Sequence, residues 1–155
     1  MKKYLLMSVM LVMTMVVAAQ TYNNPRQRPN RDYIKVTKVE RTKNSTIVYL
    51  HVDGKNTSGS VIDKFPSLTD EATGKKYQAT KALNFQWGKV YQGACTFRIQ
   101  FPALPSSTSV VTYRETGSKP WIISNIALPI KSSSSNKKTT TTSSNNGKTI
   151  IINVQ

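Results

Sequence analysis

Ala94 to Phe101 alternates for eight residues, and this run limits the fold more than any other part of the chain. Cys95, Phe97, Ile99 and Phe101 point one way, while Thr96, Arg98 and Gln100 point the other. A period of two with one apolar side describes a strand with one face buried and one face wet. Pro102 and Pro105 close the run. Similar short runs recur from Asp32 to about Pro129, separated by turn residues every eight to twelve positions. That spacing points to a sandwich or a barrel. No helix-period stretch of useful length interrupts it, and Ala79 to Leu83 could form at most one helical turn.

The remaining runs can be assigned to sheet faces. In Tyr33 to Glu40, Ile34 and Val36 oppose Lys35 and Thr37. Thr46 to Val52 is apolar on both faces, with Val48, Leu50 and Val52 opposite Ile47, Tyr49 and His51, which predicts a central strand. Leu68 to Tyr77 reads as a hairpin whose turn is Asp70 to Gly74, with Gly74 left-handed. Val110 to Glu115 and Trp121 to Leu128 complete about seven strands, the number expected of an immunoglobulin-like sandwich.

The flanks differ in composition. Lys2 and Lys3 precede an almost wholly apolar stretch from Leu5 to Val17, which exits through Ala18 and Ala19. These are the parts of a secretory signal peptide over 1–19. The stretch is shorter than the roughly 20 apolar residues of a membrane-spanning helix, so no transmembrane segment is expected after cleavage. No cysteine follows the run, which excludes a lipid-modified N-terminal cysteine. The expected location is therefore outside the cytoplasm, in a bacterial periplasm, on the cell surface or secreted. Cleavage after Ala19 leaves 136 of 155 residues, enough for one domain. Residues 20–31 read as an extended basic leader and 32–130 as the sandwich. Residues 131–148 read as a low-complexity linker, since thirteen of the fifteen residues from Ser132 to Asn146 are Ser, Thr or Asn. Residues 149–155 form a last β-type run carrying Ile150, Ile151, Ile152 and Val154.

Several of these residues form a recurring pattern: Leu68-x-Asp70-x-x-x-Gly74-x-x-Tyr77, Phe101-Pro-Ala-Leu104-Pro105, Glu115-x-Gly117, Trp121 and Ile126-x-Leu128. The pattern resembles exported immunoglobulin-like domains of unknown function from Gram-negative anaerobic bacteria, over roughly Tyr33 to Pro129. The resemblance implies a fold and carries no active site with it. This chain departs from it in following the pattern with only the Ser/Thr-rich tail and the terminal run.

Catalytic chemistry has little to work with. His51 is the only histidine, and Asp53 is its one same-face carboxylate. A metal site or nucleophile–base pair needs more ligands than that. Cys95 shares a face with Phe97, Ile99 and Phe101, so a buried structural role is expected, and a single cysteine forbids an internal disulfide. Asp70 and Glu71 fit a turn rather than a carboxylate pair across a cleft. No enzyme activity, cofactor or metal is expected.

Binding is the better expectation. The net charge is +15, or +13 once Lys2 and Lys3 are removed with the signal, and such an excess suits anionic partners. A glycan or envelope surface fits export, and nucleic acid does not. Arg26, Arg28 and Arg31 lead a basic run that continues through Lys35, Lys38, Arg41 and Lys43 against Asp32 and Glu40. Several arginines can hold phosphate or sulfate groups bidentately. Phe85, Trp87 and Tyr91, flanked by Asn84 and Gln86, form the second candidate, a carbohydrate-stacking group; packing of Trp87 under the sandwich competes with it. Trp121 is expected in the core. The rival expectation is an assembly protein whose 149–155 strand pairs with a sheet edge, in its own chain or in another subunit.

Overall fold

The computed structural model describes residues 19–55 and 59–130. The signal segment, the 131–148 linker and the 149–155 run with Ile150, Ile151, Ile152 and Val154 lie outside them.

Ten strands form two antiparallel sheets, and no helix occurs among the described residues. One sheet has the order β1 (Gln20–Asn23), β3 (Ile34–Arg41), β4 (Ser45–Asp53), β8 (Ala94–Pro102) and β7 (Lys81–Ala82). The other has the order β2 (Arg28–Pro29), β10 (Ile122–Ala127), β9 (Val110–Arg114), β5 (Ser67–Asp70) and β6 (Lys76–Gln78). The inner faces meet in one core that includes Val36, Leu50, Phe97 and Ile99 from the first sheet and Leu68, Val111, Ile123 and Ile126 from the second. The rings of Phe101 and Tyr113 cross between the sheets edge to face, with centroids 6.5 Å apart.

The all-β class is as expected, but the strand number is ten rather than about seven. The three extra strands are β1, β2 and β7, none longer than four residues. Elements this short bury too few side chains to show a period, and only pairing defines them. Residues 20–31 are extended, as a leader should be, yet they are built into both sheets. Gln20–Asn23 pairs with Lys38–Arg41, and Arg28–Pro29 pairs with Ile123–Ser124. The possible helical turn over Ala79 to Leu83 is instead edge strand β7.

The predicted central strand is at the centre: β4 lies third of five, paired residue for residue with β8 from Ser45↔Pro102 to Asp53↔Ala94. Two strands change phase through bulges. In β3 the register shifts between Val36 and Lys38, so Val39 and Arg41 turn inward and Lys38 and Glu40 stay half-exposed. In β10 the shift lies between Ile123 and Ile126, where Asn125 takes a left-handed φ of 55°. One extra residue reverses the alternation, which keeps Ile126 rather than Asn125 in the core. The hairpin between β5 and β6 turns as expected, with Gly74 at φ 68°.

Candidate functional site

The residues singled out in the sequence separate into two groups on different parts of the fold. Phe85, Trp87 and Tyr91 gather on Phe97 of β8. Phe85 stands edge-on to both Phe97 (5.1 Å) and Trp87 (4.9 Å), and Tyr91 is edge-on to Phe97 at 5.5 Å. All three are partly buried against the core. Some of the neighbouring polar groups are engaged internally. Asn84 donates its amide to the Thr96 carbonyl and accepts from the Arg98 N–H, both at 2.8 Å, so it acts as a strand partner for β8. The Tyr91 hydroxyl accepts from the Gln86 N–H at 2.9 Å. The edge-to-face geometry and the bonds of Asn84 suit packing against Phe97, while all three rings remain partly exposed.

Arg26 and Arg28 behave differently. Both are exposed, and with Gln27, Val110, Asn125 and Ala127 they line a groove of about 590 Å³. The groove is constructed rather than incidental. Gln27 lies between the arginines and sends its side chain to β3, where Oε1 accepts from the Val36 N–H and Nε2 donates to the Val36 carbonyl, each at 2.7 Å. Its amide thus extends the β3 ladder past the end of β1. On the other side, the Arg26 carbonyl accepts from the Ala127 N–H at 2.9 Å, and the Arg28 carbonyl accepts from the Ser124 hydroxyl at 3.1 Å. The β10 bulge puts Asn125 at the rim. Bulges commonly redirect side chains beside functional sites. Among the described residues, no carboxylate lines the groove.

Arg31 does not join them. It is exposed, outside the groove lining, and its guanidinium donates to the Asn30 carbonyl next to it. The rest of the basic run is also divided. Lys38 pairs with Glu40 at 2.8 Å and lies 4.0 Å over the Tyr49 ring. Arg41 is buried and donates to the carbonyls of Leu104, Pro105 and Thr108. It ties the end of β3 to the loop between β8 and β9, and its donors are spent there. Its role was hidden in the sequence because the β3 bulge alone turns it inward.

His51 is half-buried, with Nδ1 3.0 Å from the Thr96 hydroxyl across the strands. Asp70 is buried at its turn, accepting from the Ala72 N–H. Cys95 departs from the expected burial: it is only half-buried, because it lies near the start of β8. Desolvation still pushes its thiol above the usual range. Among the described residues, no group of three His, Cys, Asp or Glu side chains could hold a metal ion. No described helix is long and apolar enough to cross a membrane.

One buried carboxyl was not singled out in the sequence beyond its place in the framework pattern. Glu115 is 7% exposed, and burial pushes its pKa up to about 7. Only its burial in the fold, bonded to the Trp121 backbone, reveals this. No protein-family model matches the chain, and no curated protein or solved structure matches it either.

Proposed function

We propose that the chain is a non-enzymatic, extracytoplasmic binding module that holds anionic groups of a glycan or envelope surface in the Arg26–Arg28 groove. The observation carrying this is that two exposed arginines line one groove which, among the described residues, no carboxylate lines. Phosphate or sulfate fits there because guanidinium presents a planar fork of donors. The net charge, +13 once Lys2 and Lys3 leave with the signal, supplies long-range attraction. The architecture is read as an immunoglobulin-like sandwich, supported by two antiparallel sheets closing on one core that includes Trp121.

Binding to a sulfated polysaccharide and to vesicles containing phosphatidylglycerol tests this reading. Affinity should fall steeply as salt rises, since the Debye length shrinks from about 10 Å at 0.1 M to about 3 Å at 1 M. Replacing Arg26 and Arg28 by Gln should weaken binding about tenfold or more. Replacing Arg31 and Lys43, the same change in charge away from the groove, should weaken it far less. Equal losses in the two pairs, or salt-independent binding, would return the arginines to a solubility role.

A second reading is assembly through the 149–155 run. The described chain reaches Ile130, which is 54% exposed and lines a groove with Thr21, Tyr22 and Asn23 of β1. That strand pairs with β3 on one side and with no described strand on the other. The onward chain therefore starts beside an open sheet edge, the place where strand addition occurs. Deleting residues 149–155 should lower the melting temperature if the run pairs within its own chain. It should abolish oligomers if it pairs between chains.

A further inference from the structure

Four segments meet at one end of the fold. Ser60 and Tyr91 exchange backbone hydrogen bonds at 2.7 Å, the Gly88 N–H donates to the Ile62 carbonyl at 2.9 Å, and the Thr116 hydroxyl donates to the Lys64 carbonyl at 3.2 Å. Tyr33 stands edge-on to Trp121 at 6.2 Å. Segments 30–33, 60–66, 84–93 and 115–121 therefore form a single tip, where β3 and β8 begin and β9 ends. The arginine groove lies towards the other end of the β9–β10 pair, where Val110 pairs with Ala127.

Among the described residues, Phe65, Val90 and Ile130 are the large hydrophobic side chains left exposed, and the first two belong to this tip, at 48% and 53%. Phe65 is the harder to explain by folding alone. Its backbone is left-handed, with φ 61°, a region that suits Gly or Asn and strains an aromatic residue. Nearly half of the residue is nonetheless in water, so burial offsets little of that strain. An unfavourable backbone that holds up an exposed ring points to a use outside the fold. Trp87 and Tyr91 are half-buried on the same tip, each with an apolar and a wet side, as aromatic residues at a membrane interface are.

The exposed charge around these side chains is of one sign. Lys64, Lys89 and Lys119 are exposed, and the Lys89 ammonium lies 5.7 Å over the Tyr91 ring. The carboxyls of this end are paired or withdrawn. Asp53 pairs with Lys55 at 3.2 Å, Asp63 is half-buried beside Gly117, and Glu115 is buried. Asp32 is exposed next to Arg31, so those two charges offset each other.

We propose that this tip docks on an anionic phospholipid bilayer, seating Phe65 and Val90 at the boundary of headgroups and acyl chains while Lys64, Lys89 and Lys119 meet the lipid phosphates. A bilayer surface supplies both halves of the match, negative charge outside and hydrocarbon just beneath it. A soluble anionic glycan supplies only the charge and would leave Phe65 and Val90 in water. This inference does not depend on the arginine groove.

Cosedimentation of the mature chain with phosphatidylglycerol and with phosphatidylcholine vesicles tests the tip, beside binding to a soluble sulfated polysaccharide. Wild type should bind phosphatidylcholine far more weakly than phosphatidylglycerol. Phe65→Asn combined with Val90→Ser should weaken binding to phosphatidylglycerol about tenfold or more and leave polysaccharide binding unchanged. Asn suits a left-handed backbone, so Phe65→Asn alone should melt at or above the wild-type temperature. Replacing Lys64, Lys89 and Lys119 by Gln should cost about fivefold in vesicle affinity per lysine. Unchanged vesicle binding in the apolar double variant, equal losses on vesicles and polysaccharide, or wild-type binding as strong to phosphatidylcholine would overturn the tip. If the double variant does not fold, the lysine variant decides, and an unchanged affinity overturns the proposal. Failure of the groove reads differently: Arg26→Gln with Arg28→Gln would then leave polysaccharide binding intact.

Discussion

Arg41 and Asp70 do not touch, yet Thr108 joins them: its carbonyl accepts from the Arg41 guanidinium at 2.9 Å, and its hydroxyl donates to Asp70 Oδ2 at 2.7 Å. Arg41 ends β3 in one sheet and Asp70 ends β5 in the other. The loop between β8 and β9 is therefore tied to both sheets through one residue. A buried cation bound by carbonyls and a buried carboxylate bound by a hydroxyl and an N–H each find partners without pairing directly.

Thr108→Val keeps the shape and removes the donor, so it should destabilise the protein by about 1–3 kcal/mol, the cost of leaving a buried acceptor short of a partner. The Thr108 hydroxyl is also the main reason that the Asp70 pKa lies below the usual range. A depressed carboxylate stabilises above its unfolded pKa, and that stability is lost as pH falls through the folded value. Acid unfolding should therefore be shallower in Thr108→Val. Denaturant melts between neutral pH and about pH 3 will show whether it is.

The two tryptophans should respond unequally. Trp121 is 7% exposed and stands edge-on to Tyr33 at 6.2 Å. Trp121→Ala should cost about 3–5 kcal/mol, as for other large buried aromatics. Trp87 is only partly buried on Phe85, so Trp87→Ala should cost clearly less. Equal losses in urea melts would contradict the packing described here.

Gly54 and Gly74 both have left-handed backbones, with φ of 80° and 68°. A β-carbon at Gly74 meets nothing within 4 Å, whereas one at Gly54 lies 2.6 Å from the Ala94 nitrogen. Gly74→Ala should cost about 1–2 kcal/mol from the backbone alone. Gly54→Ala should cost more, because the backbones of two strands would have to separate. Thermal melts of the two variants test the order.

Cys95 should react with a thiol reagent slowly but measurably in the native state, and completely in denaturant. Half-burial and a raised pKa reduce the thiolate fraction without sealing the site. Complete native protection would mean that the start of β8 is more deeply covered than described.

The alternation of Cys95, Phe97, Ile99 and Phe101, the two apolar faces of β4 and the Asp70–Gly74 turn were legible because each depends on neighbouring residues only. Strand period and turn chemistry are local properties, so the all-β class, the longer strands and the burial of Trp121 followed from the chain itself. What is not local was not legible. The two bulges reverse the facing of Arg41 and Ile126, and they form only where a partner strand holds a shifted register. Gln27, Asn30 and Asn84 look like loop residues in the sequence, yet their side-chain amides bond the backbone of strands 9, 92 and 14 positions away. The arginine groove is decided in the same way: Val110, Asn125 and Ala127 lie more than eighty positions from Arg26 and Arg28, and only the neighbouring strands of one sheet bring them together.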